Sequence, residues 1–311
     1  MVFEEVERAR ARFEARLAPA VADVFGEQAE AVLGALARGG IPAAEAVAAD
    51  TAYAAEALYL VWAAVAPPFA TAAYEAVAPD TKASKAAPPP DAWLDAVLDF
   101  LAREGGVMVR AITDTVLADL RRVLAAGMEG GLGMDAMARE LREVWPDLTA
   151  SRALRIIRTE VVASSNAGSI LGYEAAARDY GIEMEIEWVS TSDGRVREEH
   201  ADANGQRVPL GGLFDVGGEE ARYPGDPNLS ASNRVHCRCT TVPVIFEPKA
   251  LTSRPAAPPP VTWREERDAR LRADYDARKA SYPYWSDLVT EMADAEGLAF
   301  DTVRKIVHTK G

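Results

Sequence analysis

His200, Cys237 and Cys239 are the residues of this chain best suited to chemistry, with His236 as a fourth. If Val235 to Phe246 forms a strand, alternation puts Cys237 and Cys239 on one face and His236 and Arg238 on the other. Two thiols and an imidazole from a preceding loop make a donor set that suits Zn²⁺. The fourth position then falls to Asp193, Asp202 or water. Cys-x-Cys is less distinctive than a Cys-x-x-Cys knuckle, and free cysteines are commonly just buried, so a purely structural pair is the alternative. The sequence holds no Gly-rich phosphate loop, nucleophile elbow or paired-histidine helix motif.

The elements that must position these residues change character along the chain. Up to Pro146 the sequence reads as helix. Ala, Leu, Glu and Arg dominate, and Phe3, Val6, Phe13 and Leu17 keep to one stripe. Gly39-Gly40-Ile41-Pro42 is a stop signal, and Asp80 to Pro90 is a connector. Asp91 is expected to cap a helix carrying Trp93, Val97, Leu98 and Leu101, with another helix from about Ala111 to Leu124. The glycines between Gly127 and Gly133 set off a further helix, Met134 to Val144.

After Pro146, Thr149 or Ser151 is expected to cap a helix ending near Tyr180 at Gly181. Ile182 to Val189 alternates apolar and acidic residues, the pattern of a half-buried strand. Ser190 to Asn233 is rich in Gly, Asp, Asn and Pro, which means loops and short hairpins. Helix, strand, loops and strand within about a hundred residues define an α+β module. Residues 253–262 are a proline-stiffened linker. The fold class expected is therefore α+β: a mostly helical N-terminal region (1–149), a small loop-rich module (150–248), a linker (249–262) and a short helical tail (263–311).

Composition narrows the functional classes. The chain has 311 residues, enough for two domains; it is 49% hydrophobic and 26% charged, so wholesale disorder is not expected. A formal net charge of −14 argues against a protein coated with basic patches for nucleic acid or anionic lipid. Two cysteines make no disulfide framework. The opening Met-Val-Phe-Glu-Glu-Val-Glu lacks the basic and apolar regions of a signal peptide. The most apolar stretch, Ala52 to Ala78, is broken by Glu56, Glu75 and Pro67-Pro68 and reads as buried helix, not as a membrane span. A soluble, intracellular protein with no membrane partner is expected.

An ordered set of short motifs goes further. Arg155-Ile-Ile-Arg-Thr-Glu160, Asn166, and Trp188-Val-Ser-Thr-Ser-Asp-Gly-Arg-Val-Arg197 with His200 are followed by Asp202-Ala-Asn-Gly205, Phe214, Pro224-Gly-Asp-Pro227 and Asn233-Arg-Val-His-Cys-Arg-Cys-Thr240. In order and spacing this resembles the Mu F-like head morphogenesis (minor head protein) domain of tailed phages and prophages, over about residues 150–246. The resemblance implies a minor head protein at the portal vertex or capsid interior of a virion, present in the host cytoplasm during assembly. Its implied partners are portal, capsid or scaffold proteins and packaged DNA. It also supports His200, Cys237 and Cys239 as metal ligands, for which the donor set suggests zinc. The family often reads His-Pro-x-Cys-Arg-Cys; here Val235-His236 directly precedes Cys237, so His236 either replaces a displaced ligand or has no metal role.

Arg158, Glu160, Asn166, Arg195 and Arg197 are expected to brace the loop-rich module by buried hydrogen bonds and ion pairs. Arg158 and Glu160, two apart on a helix, do not face each other, and their partners are expected near Asp193 and Arg195. No residue is assigned to catalysis. Arg158, Ser190 and Glu198 form a nucleotide-sugar-transferase trio only if forced together. In the tail, Ala293, Gly297, Val303 and Ile306 fit a helix-turn-helix, which would expose Thr302, Arg304, Lys305 and His308 to DNA. A metal-dependent hydrolase or transferase, in the form of an injected effector, and a DNA-binding adaptor are the alternatives to a structural head protein.

Overall fold

The computed structural model describes residues 3–78, 86–191, 193–245 and 263–279, together with Leu288 and Met292. Four long helices come first: α1 (Phe3–Ala48), α2 (Ala52–Val77), α3 (Pro90–Glu129) and α4 (Met134–Tyr180). Then follow β1 (Met184–Val189), α5 (Glu198–Ala203), β2 (Arg207–Pro209), β3 (Phe214–Val216), β4 (Glu219–Ala221), α6 (Ala231–Arg234) and β5 (Thr240–Ile245). The last described helix is α7 (Trp263–Arg278). The fold is a mostly helical α+β fold.

Several helices outrun their sequence signals. Gly40, at φ 70°, ψ −163°, bends α1 and helix resumes to Ala48. Asp91 is not a cap: Pro89 holds that position and Asp91 lies in the first turn, where its charge suits the helix dipole. The two helices expected around Trp93 and after Ala111 are one, running through Gly105-Gly106. Neither Thr149 nor Ser151 starts a helix, because α4 begins at Met134 and continues through Pro146. Pro146 removes one backbone hydrogen bond, but Leu141, Trp145 and Ile157 are all buried in the core, and that packing outweighs the loss. Gly181 closes α4 in the left-handed conformation, its N–H bonded to the Ala177 carbonyl.

The close approach of α2 and α4 is built on small residues. A Cβ on Gly168 would lie 2.3 Å from the Ala66 carbonyl oxygen, and one on Gly172 would lie 2.2 Å from that of Ala70. Glycine spaced by four therefore lets the two backbones touch. By length and composition alone, an apolar window within Phe3–Val77 is sufficient to cross a membrane, but 61% of it is buried inside this fold. One apolar core runs from Val6 and Phe25 through Trp62 to Val161, so α1 and α2 pack on the same helix that carries Glu160 and Asn166.

The sheet is antiparallel, in the order β2-β1-β5. Ile186 faces Val208 on one side and Pro243 on the other, while Trp188 faces Thr241. Strand β1 alternates buried and half-buried positions, as its period-two pattern requires. The β3–β4 hairpin turns at Gly217-Gly218, both with positive φ, which suits a two-residue type I′ turn. The final strand begins only at Thr240. Ala231–Arg234 is a short helix, His236 is left-handed at φ 58°, and Cys237 and Cys239 lie in the irregular run before β5. The proline-rich linker lies outside the described residues, as do Ala293, Gly297, Thr302, Val303, Arg304, Lys305, Ile306 and His308. Leu288 and Met292 are helical and buried.

Candidate metal centre

Cys237 and Cys239 converge on His200 although no strand holds them. His200 Nδ1 lies 3.3 Å from Cys239 Sγ and 3.6 Å from Cys237 Sγ, and all three donor atoms fall within 4.8 Å of one another. The shared face expected from a strand is thus reached by a turn: the Cys237 N–H bonds back to the Arg234 carbonyl, and the left-handed His236 re-aims the chain. His200 comes from α5, and Trp188 of β1 packs edge-on to its ring at 5.8 Å, with Phe214 against Trp188 at 5.3 Å. The three donors are only 1–2% exposed.

The donor set fits a tetrahedral zinc. Bonds of about 2.3 Å to sulfur and about 2.0 Å to nitrogen separate those ligands by roughly 3.5 Å, close to the separations here. Within the cluster the thiols share their proton unequally. The Cys239 S–H beside it, helped by His200, holds Cys237 well below the usual thiol range, whereas the Cys237 thiolate and then burial push Cys239 up. A metal would need such a thiolate. His200 Nε2 is buried without a protein partner among the described residues.

The other proposed ligands stand apart. Asp193 gives both carboxylate oxygens to Arg238, at 2.5 and 2.7 Å, and pairs with Arg195 at 2.9 Å. These hydrogen bonds, Arg238's first, hold its carboxyl far below the usual carboxylate range. Asp202 is exposed on α5. His236 is exposed and outside the triad. Partial desolvation of its ring lowers its pKa, and the charges of Arg158, Arg155 and Arg197 add to the effect.

The polar residues brace the cluster in ways spacing did not reveal. Asn166 Nδ2 donates to the carbonyls of Cys239, at 3.1 Å, and Pro224, at 2.9 Å. Glu160 is buried and accepts from Arg234 at 2.6 Å and from Trp62 Nε1 at 3.0 Å. It therefore binds α2 and α6, not the loop around Asp193. Arg158 is half-exposed and faces Glu14 at 3.9 Å. Arg197 donates to the Val235 carbonyl. Of the forced trio Arg158, Ser190 and Glu198, only Arg158 lines the pocket over the triad; the Ser190 N–H is held by Asn204 Oδ1.

Arg10 is the residue that sequence reasoning missed. Although charged, it is only 4% exposed. It donates to Ser165 Oγ (2.8 Å), Asn166 Oδ1 (3.0 Å), the Cys239 carbonyl (3.1 Å) and Thr240 Oγ1 (3.4 Å). Burial pulls its pKa down to about 10, and the charges of Cys237 and Cys239 act in the opposite sense, so it stays protonated at neutral pH. Its signal was present in the sequence: Arg10 sits four residues after Val6 and three before Phe13, on the apolar stripe itself. A cation on a core-facing stripe needs buried acceptors.

A helix packed through glycines, a β2-β1-β5 sheet and a His–Cys–Cys cluster at its edge are the setting for the sequence comparisons. Residues 118–242 match the family described as Phage Mu protein F like protein. Residues 118–242 thus form a phage Mu F-like domain. The chain is 30% identical over 132 residues to the NAD(+)--arginine ADP-ribosyltransferase EFV of Enterococcus faecalis (strain ATCC 700802 / V583), covering 42% of this chain and 26% of that protein. It is 28% identical over 127 residues to the uncharacterized protein YqbB of Bacillus subtilis (strain 168), covering 40% of each. The match therefore spans about a quarter and two fifths of these relatives. No solved structure matches significantly.

Proposed function

We propose that this chain is a minor head protein of a phage or prophage, associated with the portal and virion, in which zinc on His200, Cys237 and Cys239 pins a loop-rich module against its helical arm. The observation that carries the reading is the buried triad inside a region that matches the Mu F-like family. The ion would serve as a structural clamp: it would compensate burial of the thiolate and fix α5 to the run before β5. An α+β module with strands of three to six residues has little sheet of its own to hold it. A cross-link at the sheet edge is a physical remedy. A transferase reading would borrow the activity in the name of the E. faecalis relative, but the match covers a quarter of that protein, and neither Ser190 nor Glu198 lines the pocket that Arg158 lines.

Metal analysis of the purified full chain tests the clamp. The expected result is one zinc per chain, lost in Cys237→Ser and in His200→Ala, with the melting temperature falling on chelation. Protein that retains no metal after zinc loading overturns it. Portal association is tested with the full chain co-expressed with the portal protein of its own phage or prophage, because α1 and α2 build the common core and cannot be deleted cleanly. Failure to co-purify overturns that part alone.

A further inference from the structure

The pocket above the triad has a charge opposite to that of the chain. Its volume is about 480 Å³, within the range of small-ligand sites. Arg158, Arg195, Arg197 and Arg238 line it, with His236 among them, while Glu14 is its one lining carboxylate. Asp193, outside the lining, pairs with both Arg195 and Arg238 and offsets one of their two charges. Arg158 has only the long 3.9 Å contact with Glu14, and Arg197 is held to a neutral carbonyl. Among the described residues, Arg158 thus has no carboxylate nearer than 3.9 Å and Arg197 has no ion pair, in a protein of net charge −14. His200, itself buried, also lines the pocket, and its buried Nε2 has no partner among the described residues.

We infer that this pocket binds a phosphate group, with Arg158 and Arg197 as its counter-charges and His200 at its floor. Guanidinium forks match phosphate oxygens in pairs, and a concave, partly desolvated setting strengthens such hydrogen bonds. The phosphate has two possible sources, a free phosphate-bearing small molecule or a nucleic-acid backbone, and both present the same oxygens. The inference rests on the pocket and its charges, so it stands or falls separately from the zinc clamp.

Calorimetric titration of the full chain with inorganic phosphate tests it, on chelator-treated and on zinc-loaded protein whose metal content is measured on the same samples. The expected result is saturable binding at one site per chain in at least one of the two forms. Arg158→Gln should weaken it at least tenfold, and Arg207→Gln, on the far strand β2, should leave it unchanged. Arg197→Gln should weaken it as well, but Arg197 also supports the Val235 carbonyl, so Arg158→Gln decides. A short oligonucleotide without terminal phosphates that displaces inorganic phosphate identifies the backbone as the source; one that does not identifies the free form. No saturable binding in either form, or equal binding by Arg158→Gln, overturns the inference.

Discussion

Arg10 and Asn166, separated by 156 positions in sequence, meet at 3.0 Å beneath Cys239, whose carbonyl oxygen both side chains hydrogen-bond. The first helix, the central helix and the cysteine run are thus joined at one buried point. Replacing Arg10 by Met would leave Asn166 Oδ1 with one donor fewer and strip a cation from beside the thiolate. The expected loss is about 3 kcal/mol of stability by chemical denaturation, the scale for removing one partner of a buried charged network. Arg10→Lys should recover only a minor part, since a single ammonium cannot span acceptors contributed by Ser165, Asn166, Cys239 and Thr240.

Glu160 supplies a second, separable test. Glu160→Ala leaves the Arg234 guanidinium buried without its carboxylate and removes the acceptor of Trp62 Nε1. A cost of about 3 kcal/mol is expected, together with a changed Trp62 environment in near-ultraviolet spectra. Replacing both Glu160 and Arg234 with leucine should cost less than Glu160→Ala alone.

The helix contacts predict opposite signs for the same substitution. Gly168→Ala forces a Cβ against the Ala66 carbonyl and should destabilise by about 2 kcal/mol or more. Gly26→Ala, within α1 and with nothing inside 4 Å of the added carbon, should stabilise by about 0.5–1 kcal/mol. Thermal melts of the two variants beside the parent check both.

Asp193 gives the pH dependence. Its carboxyl is depressed in the folded protein by Arg238 and Arg195, against an ordinary aspartate value of about 3.9. The folded state therefore binds this proton less readily than the unfolded chain. Its contribution is fully present above the ordinary aspartate value and is lost as the pH falls through and below it. The carboxyl resonance of Asp193 should remain that of a carboxylate at pH 3, and Asp193→Asn should flatten the fall in melting temperature between pH 5 and 3.

Legibility of the sequence divided along physical lines. Strand β1 and the end of α4 at Gly181 followed from periodicity and a left-handed glycine, both local signals, whereas the grouping of His200 with Cys237 and Cys239, 37 and 39 positions away, was suggested by ligand chemistry alone. The helix boundaries failed where tertiary packing overrode a breaker, as at Pro146, or where glycines in mid-helix looked like a gap, as at Gly105-Gly106. The cysteines met the histidine for a reason other than strand alternation, because a left-handed His236 is invisible to pattern. Arg10, Glu160 and Asp193 found partners far away in sequence, at Asn166, Arg234 and Arg238, and no spacing rule reaches across such distances.

Helix α4 carries Met134 near one end and Asn166 thirty-two residues later, about 48 Å of helix at 1.5 Å per residue. Met128, Leu132 and Met134 are exposed around the turn where that helix begins. Helix continues from that turn through Pro146 to Asn166, whose side chain holds the Cys239 carbonyl. The helix that begins at this apolar turn is thus the one that supports the cysteine cluster from beneath.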